Sequence, residues 1–184
     1  MLQKRIFLAL FLLSVAVQGQ TFVKANMVTA LALIPNIGVE TAISNKFTLQ
    51  VDVTASFWKS VNNSPFQFVI LTPEIRYHFK ENANGLYIGG HLGGSAYKFQ
   101  KWNYNDTNYY QKGYSYLMGV TVGYQKEITK KIALDLFLGG GNEQGFYKGY
   151  YLDSGERYDS ANKYNKSGEW FPYRGGIMLC YRIN

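Results

Sequence analysis

Residues 47–58 alternate strictly between apolar and polar side chains. The apolar positions are Phe47, Leu49, Val51, Val53, Ala55 and Phe57, and one polar residue separates each from the next. A period of two indicates a β-strand with one face in an apolar medium and the other in a polar medium. The run is longer than an ordinary strand and close to the roughly 9–11 residues that a tilted strand needs to cross a bilayer. The apolar face is therefore predicted to contact either a protein core or lipid.

Seven other segments alternate in the same way, which makes eight predicted strands. They cover residues 23–33, 37–44, 47–58, 66–79, 86–99, 114–128, 132–141 (continuing toward Tyr147) and 170–183. The connections after the second, fourth and sixth strands are short, and those after the third, fifth and seventh are longer. Short turns on one rim and long loops on the other are typical of outer-membrane barrels. The predicted fold is all-β, an eight-stranded antiparallel up-and-down transmembrane β-barrel.

The N-terminus has the plan of a secretory signal peptide. Lys4 and Arg5 precede an apolar stretch at residues 6–17, which is too short to span a membrane as a helix. We predict a signal peptide at residues 1–19 and an outer-membrane barrel domain at residues 20–184. A chain that enters the outer membrane through strands must close into a barrel, because open sheet edges leave backbone groups unpaired in lipid.

The polar faces of the predicted strands suit a narrow barrel interior. They carry small residues and few lysines, whereas a soluble protein would expose charge there. Charged residues of both signs share the inward position, and pairing between them would offset the cost of burial. The predicted interior polar network consists of Glu40, Asp52, Glu74, Arg76, His91, Asp135, Arg174 and Arg182.

Aromatic residues near the strand ends are predicted to form two girdles at the membrane interfaces. Among them are Trp58, Tyr77, Phe79, Tyr97, Tyr114, Tyr124, Trp170, Phe171, Tyr173 and Tyr181. Aromatic and charged residues each make up 17% of the chain, whereas charged residues alone reach about a quarter of a typical soluble domain. This balance favours a membrane location.

The two longest predicted loops, residues 100–113 and 148–168, are rich in tyrosine. Tyrosine forms adaptable contacts at a low cost in entropy, so the surface-contact candidates are Trp102, Tyr104, Tyr109, Tyr110, Tyr150, Tyr151 and Tyr158. The predicted partners are outer-membrane lipids and an extracellular protein or glycan that contacts these loops. The alternative is an extended girdle on strands that project past the membrane. The net charge of +7, or +5 without Lys4 and Arg5, is too dispersed to indicate nucleic acid, and we expect a monomer.

Candidate catalytic chemistry centres on His91, one of two histidines. Ser95 lies four residues along the same face, so one alternative is an outer-membrane lipid-modifying enzyme that performs acyl transfer or deacylation. A second alternative is a secreted soluble barrel that binds a small apolar ligand. Cys180 is the only cysteine, and the acidic residues of the last loop lack EF-hand spacing. We therefore expect no metal site and no cofactor, and a structural or surface-interaction role rather than an enzymatic one.

Four blocks of the sequence resemble a Bacteroidetes family of outer-membrane β-barrel proteins of unknown function. They are Lys24-Ala25-Asn26, Pro35-Asn36-Ile37-Gly38-Val39-Glu40, Pro73-Glu74-Ile75-Arg76-Tyr77 and Gly119-Val120-Thr121-Val122-Gly123-Tyr124-Gln125. The resemblance extends over residues 23–183. It implies an eight-stranded outer-membrane barrel and supplies no catalytic residues.

Overall fold

A computed structural model describes residues 19–61, 63–81, 84–101, 104, 107–158 and 163–184. All of the predicted signal peptide except Gly19 lies outside these residues. Each strand pairs antiparallel with its neighbours in sequence, and the last pairs with the first to close the barrel. The predicted all-β, eight-stranded up-and-down fold is confirmed, while its insertion into a membrane stays a prediction. The strands are β1 (Thr21–Asn26), β2 (Asn36–Ala42), β3 (Phe47–Val61), β4 (Ser64–His78), β5 (Gly85–Phe99), β6 (Tyr109–Glu127), β7 (Ile132–Tyr151) and β8 (Asn165–Arg182).

The two faces of the barrel wall follow the alternation in the sequence. On β3 the polar side chains Thr48, Gln50 and Asp52 are buried, whereas Leu49 and Val51 are exposed. The same arrangement recurs around the ring, because successive side chains of a strand point to opposite faces of the sheet. The protein therefore turns its aliphatic residues outward and buries a set of charged strand residues inside, namely Lys24, Glu40, Asp52, Glu74, Arg76 and Asp135.

The observed strand β1 is shorter than the first predicted strand, which covers residues 23–33. It ends at Asn26 and is followed by a short helix, α1 (Met27–Leu31). The side-chain oxygen of Asn26 accepts hydrogen bonds from the backbone N–H groups of Val28 and Thr29, at 3.1 and 3.5 Å. This N-cap satisfies donors that would otherwise continue a strand ladder. No helix among the described residues is long and apolar enough to cross a membrane.

The strands next to the two predicted long loops are longer than expected. β6 already begins at Tyr109, and β7 and β8 reach Tyr151 and Asn165. An antiparallel ladder depends on backbone hydrogen bonds, so it continues here through polar and glycine residues that interrupt the apolar pattern. Tyr109, Tyr110, Tyr150 and Tyr151 therefore belong to strands, and the connections span residues 100–108 and 152–164.

A bulge in β8 changes which side chains enter the barrel. Gly139 pairs with Arg174 but Gly140 pairs with Pro172, so Tyr173 is an extra residue opposite β7. Proline lacks the N–H that a regular ladder needs and is tolerated at bulges. As a result Tyr173 and Arg174 both reach the interior although they are consecutive. Tyr173 was expected in an aromatic girdle, and that expectation is wrong for this reason.

Glycines on β5 and β6 make room for bulky interior side chains. Gly123 faces Tyr87 across the β5–β6 ladder, and the Cε1 atom of Tyr87 lies 2.7 Å from the point that a Cβ atom of residue 123 would occupy. Gly90 faces outward from β5, and nothing lies within 4 Å of its Cβ position. The two glycines therefore have opposite tolerance for a side chain.

We expect Gly123→Val to lower the free energy of unfolding by at least about 1–3 kcal/mol, because the new side chain would displace the Tyr87 ring. Gly90→Val is the matched control and should unfold at the wild-type midpoint or above it, since a β-branched residue favours a strand. Urea titrations followed by far-UV circular dichroism measure both variants. Equal midpoints for the two would contradict the packing of Tyr87 over Gly123.

Candidate functional site

Lys24 lies at the centre of a buried charge cluster inside the barrel. Its side chain has no exposed surface, and its Nζ atom lies 2.5 Å from Oε2 of Glu40 and 2.7 Å from Oδ2 of Asp135. Nζ also donates to Oε1 of Gln50 at 3.1 Å. One ammonium group therefore joins side chains of β2, β3 and β7 across the interior from its own position on β1.

Arg76 extends the cluster from β4. Its NH1 atom is 2.8 Å from Oδ2 of Asp135 and its NH2 atom is 3.2 Å from Oε2 of Glu74. The guanidinium carbon lies 4.5 Å from the ring centroid of Tyr87, whose hydroxyl donates to Asp135 at 2.9 Å. Asp135 thus accepts from three groups on three different strands and has little capacity left for solvent.

Arg174 completes the network from β8. Its NH2 atom lies 2.7 Å from Oδ2 of Asp52, and its NH1 atom lies 3.0 Å from Oε2 of Glu74. The cluster then contains four carboxylates and three cations contributed by six strands. His78 borders the cluster, because its Nε2 atom lies 3.6 Å from Oε1 of Glu40 and 3.1 Å from Oγ1 of Thr48.

The structure brings together six of the eight predicted network residues, namely Glu40, Asp52, Glu74, Arg76, Asp135 and Arg174. His91 lies beside this cluster and pairs with Glu74 in the β4–β5 register. Arg182 departs from the prediction. It ends β8 at the short-turn rim, where it forms an ion pair with Glu127, the last residue of β6, and covers the ring of Phe22.

Sequence reasoning missed Lys24, the most connected residue of the cluster. The signal was present, because Lys24 stands between the outward positions Val23 and Ala25 and shares the inward position with Phe22 and Asn26. A lysine at this position does not by itself indicate burial, because lysine is almost never fully buried unless it is paired. Here the pairing partners come from strands far away in sequence.

His91 does not form the predicted pair with Ser95. Its Nε2 atom lies 2.6 Å from the Tyr173 hydroxyl and its Nδ1 atom lies 3.1 Å from Oγ1 of Thr121. Ser95 instead shares a 2.6 Å hydrogen bond with Ser115. A serine nucleophile requires a base within hydrogen-bond reach, and the described interior does not supply that geometry at Ser95.

A cavity of about 190 Å³ lies between the charge cluster and α1. Its wall is mixed in character, and its lining includes Asn36, Asp52, Phe68, Ile70, Phe137, Tyr173 and Arg174. Pockets for small ligands usually measure about 300–1,000 Å³ and are mostly apolar. The cavity is therefore smaller than the soluble ligand-binding alternative requires. Among the described residues, no group of three or more His, Cys, Asp or Glu side chains is arranged to hold a metal ion.

The tyrosines at the long-loop rim pack against one another. The rings of Tyr109, Tyr151 and Tyr158 lie 4.8–5.7 Å apart, and Tyr110 stacks on Tyr150 at 5.3 Å. The backbone of Tyr104 accepts a 2.6 Å hydrogen bond from the Thr107 hydroxyl. Trp102, the remaining surface-contact candidate, lies outside the described residues. Most of the candidate side chains thus form an ordered aromatic layer on extended strands.

The two connections at this rim are joined by polar contacts. The side-chain oxygen of Asn108 accepts from the backbone N–H groups of Leu152 and Asp153 at 3.1 and 3.2 Å. Hydrogen bonds from Asn108 and from the backbone of Ser154 hold the pKa of the Asp153 carboxyl below its usual value. Asn108 therefore fixes the end of the first connection against the beginning of the second, at Leu152 and Asp153.

Replacing Lys24 with Met should lower the free energy of unfolding by about 3–5 kcal/mol, because Glu40 and Asp135 would stay buried after losing their closest shared cation. Arg76 would then be the one cation of the described residues within 4 Å of both carboxylates. The double variant Lys24→Met/Glu40→Gln should recover part of this loss, since one of the two carboxylates is removed. Urea unfolding of the two variants and of Glu40→Gln alone gives the coupling free energy.

Arg182→Met serves as the control for Lys24→Met. Arg182 is also basic and lies on a strand that pairs with β1, but its ion pair is partly exposed, so the expected loss is at most about 1 kcal/mol. Equal losses for Lys24→Met and Arg182→Met would show that the interior cluster does not stabilise the barrel more than a rim contact does.

Comparison with known proteins identifies the family of the chain. Residues 5–183 match the family described as "Protein of unknown function (DUF3575)". No curated protein and no solved structure matches the chain. The Bacteroidetes source and the outer-membrane location implied by the resemblance are not part of this match and stay predictions. Because the match covers nearly the whole sequence, the chain belongs to the DUF3575 family.

Proposed function

We propose that this protein is an outer-membrane β-barrel with a closed, charge-filled interior and a structural or surface-interaction role. The observation that carries the proposal is the distribution of side chains across the barrel wall. Charges are paired inside the barrel, and large apolar side chains cover the outside. This arrangement is the reverse of the one found in soluble proteins, and it is the arrangement that a lipid environment stabilises.

The outward apolar surface is continuous around the barrel. Every strand contributes exposed aliphatic residues to it, including Val23, Val39, Val51, Leu71, Leu92, Val120, Leu138 and Leu179. The largest apolar patch on a typical soluble monomer covers only about 300–600 Å² and is often a binding site. A belt of this kind on all sides of a barrel fits contact with lipid better than contact with one partner.

Aromatic side chains border this apolar belt at both rims. At the short-turn rim the ring of Tyr77 lies 5.2 Å from that of Phe47 and 5.4 Å from that of Phe79. At the opposite rim Tyr114 and Phe146 stack at 5.3 Å, and Trp170 is exposed. Aromatic girdles of this kind mark the two interfaces of membrane barrels.

The interior supports a non-transporting role. The Lys24, Arg76 and Arg174 contacts join opposite walls, and an eight-stranded barrel leaves room for little more than side chains. An activity must then reside on the outer surface or the rims. The tyrosine side chains of the long-loop rim, together with the connections at residues 100–108 and 152–164, are the proposed contact site for an extracellular protein or glycan.

A matched pair of substitutions on β5 tests the membrane location. Leu86 and Leu92 both point outward and both are 61% exposed, but Leu86 lies at the end of β5 and Leu92 at its middle. In lipid, Leu92→Arg should lower the free energy of unfolding by about 2–4 kcal/mol, and Leu86→Arg should lower it by about 0–1 kcal/mol. The reason is that the cost of placing arginine on the lipid face falls from the bilayer midplane to the interface.

Folding into lipid vesicles can be read from electrophoretic mobility with and without boiling in SDS. A closed membrane barrel keeps its folded mobility until it is boiled, so the folded fraction of each variant follows from the two bands. A soluble barrel would tolerate both arginines equally, since the two positions are equally exposed. That result, or recovery of the wild type without detergent, would overturn the proposal.

A further inference from the structure

Three lysines face each other across adjacent strands at the long-loop rim. Lys98 of β5 pairs in register with Lys112 of β6, and Lys112 pairs with Lys148 of β7. Their side chains lie on the outward face, because the neighbouring Tyr97 and Gln111 are buried on the other face. Residues directly opposite in an antiparallel pair have Cβ atoms about 4.5–5.5 Å apart. The three residues are called the lysine row below.

The lysine row lies between two stacked aromatic pairs. Tyr110 and Tyr150 stand one outward position nearer the loops, with rings 5.3 Å apart and 20° from parallel. Tyr114 and Phe146 stand one outward position nearer the barrel body, at 5.3 Å and 19°. The flat rings hold the lysine stems on a defined surface, and Nζ of Lys98 lies 5.0 Å from the Tyr110 centroid.

The described part of the chain gives the lysine row no carboxylate partner. Lys101 shows the contrast, because it forms a 2.8 Å ion pair with Glu169. Like charges directly opposite on neighbouring strands destabilise a sheet. An external anion with several negative oxygens would therefore stabilise a row of three such positions. Phosphate groups carry such oxygens, and lysine binds them as a point charge.

The position of the lysine row narrows the class of anion. The same outward face continues toward the barrel body with the exposed residues Tyr116, Met118 and Val120, so a ligand on the row also meets an apolar surface. A nucleic acid or an acidic protein would leave that surface uncovered, whereas a lipid covers it with its acyl chains.

We propose that the lysine row is a binding site for the phosphate groups of an anionic lipid, whose acyl chains pack along the outward face of β6 and β7. This inference rests on the proposed function, because it places the row at the interface of a membrane. It assigns a specific lipid-headgroup contact to one side of the barrel, the side where β5, β6 and β7 extend past the apolar belt.

The test uses the mature protein folded in octyl glucoside micelles. Short-chain phosphatidic acid is titrated in, and binding is followed by calorimetry. Short-chain phosphatidylcholine and inorganic phosphate are the comparison ligands. The wild type should prefer phosphatidic acid to phosphatidylcholine. The variant Lys98→Gln/Lys112→Gln/Lys148→Gln should lose about tenfold to a hundredfold in affinity for phosphatidic acid, given the usual contribution of a lysine at an anionic surface.

The control variant is Lys80→Gln/Lys130→Gln/Lys131→Gln, which removes the same charge from the short-turn rim and should bind phosphatidic acid like the wild type. Lys112→Gln alone guards against misfolding of the triple variant and should lose about fivefold in affinity for phosphatidic acid. Without lipid, Lys112→Gln should have an unfolding temperature equal to or above that of the wild type, because it relieves repulsion. A lower temperature would indicate that the row has a purely structural role and would overturn the inference.

The outcomes separate the two proposals. A wild type with no heat-sensitive shift in electrophoretic mobility overturns both the membrane barrel and the lysine site. A wild type that shifts but binds phosphatidic acid and phosphatidylcholine equally overturns only the lysine site. Equal affinity for inorganic phosphate and phosphatidic acid would assign the row to a soluble phosphate compound and overturn the lipid assignment. If the control triple variant lost as much affinity as the lysine-row variant, binding would depend only on net charge, and the lysine site would be overturned.

Discussion

The pairing of Lys24 with Glu40 and Asp135 is the interaction on which the barrel interior depends. These three side chains join β1, β2 and β7 at one point, and Arg76 shares Asp135 with Lys24. Removing any one charge would leave its partners buried with fewer opposite charges than they have now, which costs far more than the pair itself contributes. The cluster therefore selects the closed arrangement of strands, because only closure brings β1 next to β8 and within reach of β7.

The narrow interior imposes a second constraint, which is volume. Large side chains such as Tyr87 and Glu74 occupy space that neighbouring strands leave free with glycine, as at Gly123 and Gly89. The Tyr87 ring also covers the Arg76 guanidinium at 4.5 Å. Packing and charge pairing are thus coupled through one ring, so the interior behaves as a single unit rather than as separate polar and apolar layers.

Much of the fold could be predicted from the alternation of residues, which gave the strand number, the order and the two faces of β3. Three features could not. Asn26 ends β1 by capping a helix, which depends on one side chain and not on a period. Tyr173 enters the barrel because the bulge beside Pro172 shifts the alternation by one residue. The burial of Lys24 depends on Glu40 and Asp135, which lie 16 and 111 residues away, so no local pattern indicates it.

The contrast between Lys24 and Lys112 indicates where the activity of this protein lies. Lys24 is surrounded by carboxylates of its own chain and has no capacity left for an external ligand. Lys112 stands between Lys98 and Lys148 on an exposed surface, where the described residues provide no opposite charge. A barrel whose interior charges pair with one another can bind an external partner only at its outer wall and its rims. The lysine row has aromatic contacts but no carboxylate partner among the described residues, and it lies next to an apolar surface and the tyrosine layer. This combination supports the proposal that the protein binds its partner at this rim.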